Sequence, residues 1–290
     1  MGRMVAEKVN MKRPVAFACL FVVLLAKVAS AQAPPAMGEA FELSQPQWKL
    51  FVPSGYEHRQ DGAVDLLIHF HGDPQTVWNN AAQARLNAII VTANYNGLSS
   101  AYSKPFSDTE LFRSLLDDAR AKLRKLPDFG EAAFDRIAVT SFSAGYGAVR
   151  EILKQPHYRE AIDAILAADS LYASTDAADG TPVDEQMADY KTYADMATRG
   201  EKTFLFTHSD VATPTYESTR ETGDELLAHL GLTPTAIDQP GLGTLRFTRT
   251  AERGGFVLWG AAGETGDDHM AHLRYLAEWL DDLPLAKRAE

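Results

Sequence analysis

Short, nearly unbroken apolar runs alternate with stretches of amphipathic, helix-like periodicity along most of this chain. The runs at 48–52, 64–70, 88–92, 137–140, 164–168, 203–207 and 256–259 predict strands, and a shorter one is expected at 245–248. VDLLIHF, NAIIV and AILAA have no polar alternation, so they predict strands buried on both faces of a parallel sheet. Between them, the spacing predicts helices over 77–86, 108–126, 144–154, 184–198, 217–230 and 268–280. Ser107 and Glu110 fit an S-x-x-E capping box before the second helix, and Pro127 closes it. Strand and helix in alternation imply a mostly parallel sheet with helices on both faces.

The first 31 residues read differently. Arg3, Lys8, Lys12 and Arg13 precede an apolar run at 15–26, and Ala29-Ser30-Ala31 follows as an A-x-A site. This predicts a signal peptide cleaved after Ala31 and a secreted or periplasmic product. The run is shorter than the roughly 20 residues a membrane span needs. Residues 32–40 read as a loose lead-in, and 32–290 as one domain. The only cysteine, Cys19, lies in the apolar run, so the mature chain has no thiol or disulfide chemistry.

Charge narrows the partners. The full chain carries −11, and removal of residues 1–31 leaves −15. Nucleic acid and anionic membrane both call for basic patches, so neither is expected as a partner after signal cleavage.

The candidate chemistry lies at the ends of the predicted strands. In RIAVTSFSAGYGAVREIL (136–153) an apolar strand runs into Ser141-Phe142-Ser143-Ala144-Gly145, and a helix pattern follows at once. That is the context of a G-x-S-x-G nucleophile elbow, with Ser143 as nucleophile. Ser141 replaces the first glycine. Crowding between the residues two before and two after the nucleophile is expected to keep both small. DLLIHFHGD (65–73) is a second strand ending in His-Gly.

Taken in order, these motifs resemble the α/β-hydrolase superfamily across most of the mature chain. The resemblance implies an oxyanion hole from the amides of Gly72, Asp73 and Ala144, with a carboxylate and a histidine later in the chain. Asp73-Pro74 depart from the more glycine-rich sequence of many relatives. Asp169, directly after AILAA, is the favoured acid. Asp210, one strand later, is the alternative and the position most of the superfamily uses. His269, after the last strand, is the favoured base, with His272 the alternative. His71, Tyr95, Tyr146 and Tyr172 are candidate pocket residues, aromatic core packing being the competing role for the tyrosines. The segments 172–202 and 213–243 are expected to form cap-like insertions.

The resemblance implies a secreted serine hydrolase acting on a small-molecule or polymeric ester, amides being less favoured, with no metal or organic cofactor. Two other readings stand beside it. One is a non-catalytic binding protein on the same scaffold. The other is a metal-dependent hydrolase, because His69, His71 and Asp73 spell H-x-H-x-D, as at the start of a metallo-β-lactamase-type motif.

Overall fold

The computed structural model describes residues 35–289. The predicted signal peptide and its cleavage site lie outside the described residues. The end of the expected lead-in is a strand: β1 (Gly38–Glu42) pairs antiparallel with β2 (Trp48–Pro53), Gly38 opposite Pro53. Its side chains are almost all exposed, so it is held by backbone pairing and leaves no apolar signal.

Eight strands follow: β3 (Ala63–Phe70), β4 (Ile89–Ala93), β5 (Ala133–Phe142), β6 (Ala164–Ala168), β7 (Thr203–His208), β8 (Thr235–Pro240), β9 (Arg246–Arg253) and β10 (Phe256–Ala261). They join one sheet in the order β1-β2-β4-β3-β5-β6-β7-β10-β9-β8. From β4 to β10 the neighbours are parallel; β1 and β2 at one edge and β9 and β8 at the other are antiparallel. The central strands are the buried, unalternating runs of the sequence.

The helices are α1 (Pro74–Gln83), α2 (Ser100–Phe106), α3 (Leu111–Leu123), α4 (Tyr146–Leu153), α5 (Pro156–Ala161), α6 (Asp184–Thr198), α7 (Thr219–Leu230), α8 (Gly266–Arg274) and α9 (Ala277–Leu280). Strand residues alternate between two cores. Leu66, Ile68 and Phe70 share one with residues of α2, α3, α4, α6 and α7; Leu67 faces the other with residues of α1, α8 and α9. A mostly parallel sheet covered by helices on both faces is the architecture that the alternation of strand and helix implied.

Three local expectations are corrected. Ser107 and Glu110 form no capping box: the Ser107 hydroxyl donates to the Lys104 carbonyl at the end of α2, and Asp108 accepts from the Glu110 amide instead. The pattern falls in the turn between two helices, one of which carries too little periodicity to be read. A working box sits at Ser218 and Glu221, at the start of α7. Next, the single helix expected at 268–280 is two, because Tyr275 leaves helical geometry between α8 and α9. Finally, α6 and α7, which carry much of the expected cap segments, lie on the sheet, with Tyr190, Tyr193, Leu226 and Leu227 in its core.

Candidate active site

The parallel strands present their carboxyl ends along one edge, where sheets of this kind hold their ligands. At the end of β5 the chain leaves extended geometry at Phe142 and enters a one-turn 3-10 helix at Ser143–Gly145 that leads into α4. Ser143 has φ +46°, a conformation rare outside glycine and diagnostic of a strained turn. Gly145 is required by crowding: a Cβ there would stand 2.2 Å from the Phe70 carbonyl oxygen. The crowding partner is therefore the end of β3 and not Ser141. Freed of that constraint, Ser141 keeps its hydroxyl, which lies 2.9 Å from Ser170 Oγ; Ser170 Oγ is also 2.9 Å from the Ser143 carbonyl oxygen. The serine at the first motif position thus ties the elbow to the neighbouring strand.

Asp169 follows β6 directly and is fully buried, at φ +43°. Its Oδ2 accepts from His269 Nδ1 at 2.6 Å and from Ser209 Oγ at 2.7 Å. Its Oδ1 accepts from the Ser209 amide at 2.9 Å and from the Thr219 hydroxyl. Burial alone would push the carboxyl up. The imidazoles of His272 and His269 and the Thr219 hydroxyl outweigh burial and hold it below the ordinary carboxylate range. The group is an ion at neutral pH, so the shared proton resides on His269 Nδ1 and leaves Nε2 as an acceptor.

His269 lies in the first turn of α8, three residues after the Thr265 N-cap begins the helix at Gly266. Its ring stacks on Phe142, with centroids 4.6 Å apart, and Phe142 in turn faces His71 at 6.0 Å. Phe142, the residue before Ser143, is thus a flat support for the imidazole. His269 and Ser143 border the same cavity of about 400 Å³, together with Ala144, Tyr146 and Tyr172.

The alternatives go elsewhere. Asp210 pairs with Arg220 at 2.5 Å. His272 is fully buried, bonded through Nδ1 to Thr207 Oγ1 at 2.7 Å, and its Nε2 has no partner among the described residues. Burial pushes its imidazole down.

His71, Gly72 and Asp73 border an adjacent cavity of about 290 Å³, also lined by Phe142, Met270 and Leu273. Here φ is +69° at His71 and +127° at Gly72, which turns the backbone sharply off β3. The Asp73 carboxylate, out of place beside a developing oxyanion, is turned away: it accepts from the amide (2.9 Å) and hydroxyl (2.8 Å) of Thr76 and caps α1. His71 Nδ1 is 2.8 Å from Tyr102 Oη, whose own proton goes to Asn94 Oδ1. Tyr95 does not border the Ser143 cavity; it bonds Trp48 and packs against the core.

The H-x-H-x-D segment does not gather ligands. His69 Nδ1 meets Thr140 Oγ1 and its Nε2 donates to the His71 carbonyl, each at 2.7 Å, while His71 and Asp73 are engaged as above. No group of three potential ligands converges among the described residues. Residues two apart share a face of a strand, but β3 ends at Phe70 and the positive φ values at His71 and Gly72 turn the backbone off it, so the three side chains part.

Sequence reading missed Ser209 and Thr219, which hold the carboxylate, and Phe142, which supports the imidazole. Thr219 had a signal: it is the first helical residue after the Ser218–Glu221 capping box. Phe142 had its adjacency to Ser143.

No family model matches the chain, and no curated protein matches it in sequence. Among solved structures it is similar to a siderophore hydrolase from Aspergillus nidulans, at 14% identity over 91% of this chain and 100% of that one, with a TM-score of 0.47. It is similar also to an ester-hydrolase from the metagenome of Lake Arreo (14%, 87% and 83%, 0.45). A third is the feruloyl esterase module from Clostridium thermocellum (11%, 90% and 98%, 0.44). The roles assigned below rest on this chain's own geometry.

Proposed function

We propose that the protein is an exported serine hydrolase that cleaves esters, with Ser143 as nucleophile, His269 as general base and Asp169 as the residue that orients it. One observation carries this reading. A buried, ionised Asp169 holds His269 across 100 residues of chain, and that imidazole shares a cavity with a serine in left-handed geometry at a strand-to-helix turn. An acid fixed on Nδ1 leaves Nε2 as the only ring atom able to take a proton, the requirement for activating a hydroxyl of high pKa.

In this mechanism Ser143 Oγ bonds to the ester carbonyl carbon as its proton passes to His269 Nε2. The tetrahedral oxyanion is assigned to the Ala144 amide and to amides of the Gly72–Asp73 turn; the close approach of Gly145 to Phe70, from which that turn departs, supports this. The carbon–oxygen bond to the alcohol breaks, and His269 returns the proton to that oxygen. Water then repeats the sequence and frees the acid from Ser143. Esters fit better than amides because an alkoxide leaves with less demand on the single acid present. Export belongs to the same proposal and rests on the basic segment, apolar run and A-x-A site before Gln32. Among the described residues no helix is long and apolar enough to cross a membrane.

The test is labelling with a fluorophosphonate probe, followed by mapping of the modified residue. Adduct on Ser143, absent from Ser143→Ala, is expected. A folded protein that takes up no probe and hydrolyses no simple ester would make the scaffold a binding protein.

A further inference from the structure

The wall of the Ser143 cavity is unusual in composition. Tyr172 stands between Tyr146 and Tyr216, with ring centroids 5.5 and 5.6 Å away, the second pair edge to face. This aromatic wall is braced from behind. The Arg150 guanidinium lies 4.8 Å from the centre of the Tyr146 ring and donates to the Tyr172 carbonyl, so its charge is spent beneath the rings. Among the described residues no Asp, Glu, Lys or Arg side chain borders the cavity. At its rim Leu98 is 81% exposed and Tyr216 45% exposed, two of the four large apolar side chains left open among the described residues. A third, Met270, borders the adjacent cavity. Exposed apolar groups gathered at one cleft mark a ligand surface.

Resting on the serine-hydrolase reading above, we infer that the substrate is an uncharged ester bearing an aromatic ring close to the scissile carbonyl, and that Tyr146, Tyr172 and Tyr216 form the subsite for that ring. Three considerations select the ring. The cavity of about 400 Å³ exceeds the roughly 150 Å³ in which a benzene ring fits, with room for the ester and a substituent. Tyrosine rings set at an angle to one another offer edges and faces that a flat ring matches beyond simple area burial. The uncharged wall, in a chain of net charge −11, offers nothing to a carboxylate or phosphate on the substrate.

The experiment compares matched uncharged esters on the wild-type chain. The acyl series is methyl benzoate, methyl cyclohexanecarboxylate and methyl butyrate; the alcohol series is benzyl, cyclohexylmethyl and butyl acetate. In at least one series kcat/KM for the aromatic member should exceed that of the saturated ring about tenfold, and a para-carboxylate on the aromatic ring should lower it by a similar factor. In Tyr216→Leu and Tyr146→Leu, the aromatic-to-saturated ratio should fall by roughly 2- to 10-fold for each ring removed. Tyr216 is exposed, so its variant does not depend on repacking a core. Fluorophosphonate labelling of the wild-type chain runs alongside. Labelled, active enzyme with a flat ratio in both series, or with ratios unmoved by both substitutions, overturns the aromatic subsite and leaves the hydrolase reading intact. No labelling and no hydrolysis overturns both.

Discussion

Replacing Asp169 by asparagine removes one charge and adds one proton-bearing nitrogen, and the surroundings dictate where that nitrogen goes. The Ser209 amide is a backbone donor that cannot rotate, and it points at Oδ1 from 2.9 Å. The asparagine oxygen must take that position, where it also keeps the Thr219 hydroxyl. The NH2 group is then forced into the Oδ2 position, 2.6 Å from His269 Nδ1 and 2.7 Å from Ser209 Oγ. The serine hydroxyl turns to accept. The imidazole must offer a bare Nδ1, so its proton moves to Nε2, and the base can no longer take the Ser143 proton. Turnover should fall about 10⁴-fold, the loss expected when a triad histidine is held in the wrong tautomer, which is about 5.5 kcal/mol of transition-state stabilisation. KM should change little. The fold should hold, because only the Ser209 hydroxyl proton loses its acceptor and the remaining bonds lose only charge assistance, a matter of about 1–3 kcal/mol. Steady-state hydrolysis of a simple ester and thermal unfolding, measured on one preparation, separate these effects. A folded Asp169→Asn protein whose kcat stays within about tenfold of wild type would refute this reasoning.

Ser143→Ala should lose activity by about 10⁴-fold or more with unchanged Tm, whereas Ser141→Ala, which loses only a buried hydroxyl contact with Ser170, should cost about 1 kcal/mol of stability and stay active; the reverse pattern would move the nucleophile. Asp210→Asn should alter kcat less than about threefold, since its carboxylate meets Arg220 at the surface, and His272→Gln should destabilise the protein yet leave measurable turnover where His269→Gln leaves none. Stability should decline on the acid side of neutrality. Burial pushes His69 down to about 4 and His208, which also faces Arg249, down to about 3. The unfolded chain protonates the same residues near 6.5, so between these values it binds more protons and is favoured as pH falls. Asp169, depressed in the fold, adds its own loss below about pH 4. A Tm that stays level from pH 7.5 to 4.5 would contradict the buried, neutral state of both histidines.

Much of this was legible along the chain, and the limits have physical causes. β6 and α6 fall where the apolar run and the helical period put them, because a fully buried strand and a long helix each carry their environment in their own residues. β1 and β8 do not: five of six β8 residues and four of five β1 residues are exposed, so their only instruction is the edge of a sheet built by other segments. The S-x-x-E pattern occurs at both 107–110 and 218–221, and only the helix that follows decides which one caps. Tyr95 and Tyr146 are the same residue type in comparable positions after a strand, yet one bonds Trp48 against the core and the other faces the cavity. Ser209 and Thr219 gain their roles from a carboxylate at least 40 residues away, which no local pattern records.

The acid after β6 and the hydroxyls after β7 form one solution to one problem. Sheet register sets Phe142, Ala168, Thr207 and Trp259 abreast on β5, β6, β7 and β10. The chain therefore leaves all four strands at a common level, and side chains from neighbouring strand ends meet. With the carboxylate at the end of β6, next to the strand that leads to Ser143, it is fully buried, and a buried ion needs donors on every side. The end of β7 supplies them: Ser209 gives an amide and a hydroxyl, and Thr207 Oγ1 accepts the Asp169 amide at 3.0 Å, fixing the backbone that carries the ion. The chain then turns outward, with the Asp210 amide on the Gly263 carbonyl and its carboxylate on Arg220, so a second charge is kept out of the same low-dielectric space. A carboxylate at each strand end would force one to take up a proton. With hydroxyls at the end of β7 and the acid at the end of β6, the ionised Asp169 bonds His269 Nδ1, which is the condition for holding that imidazole in one tautomer.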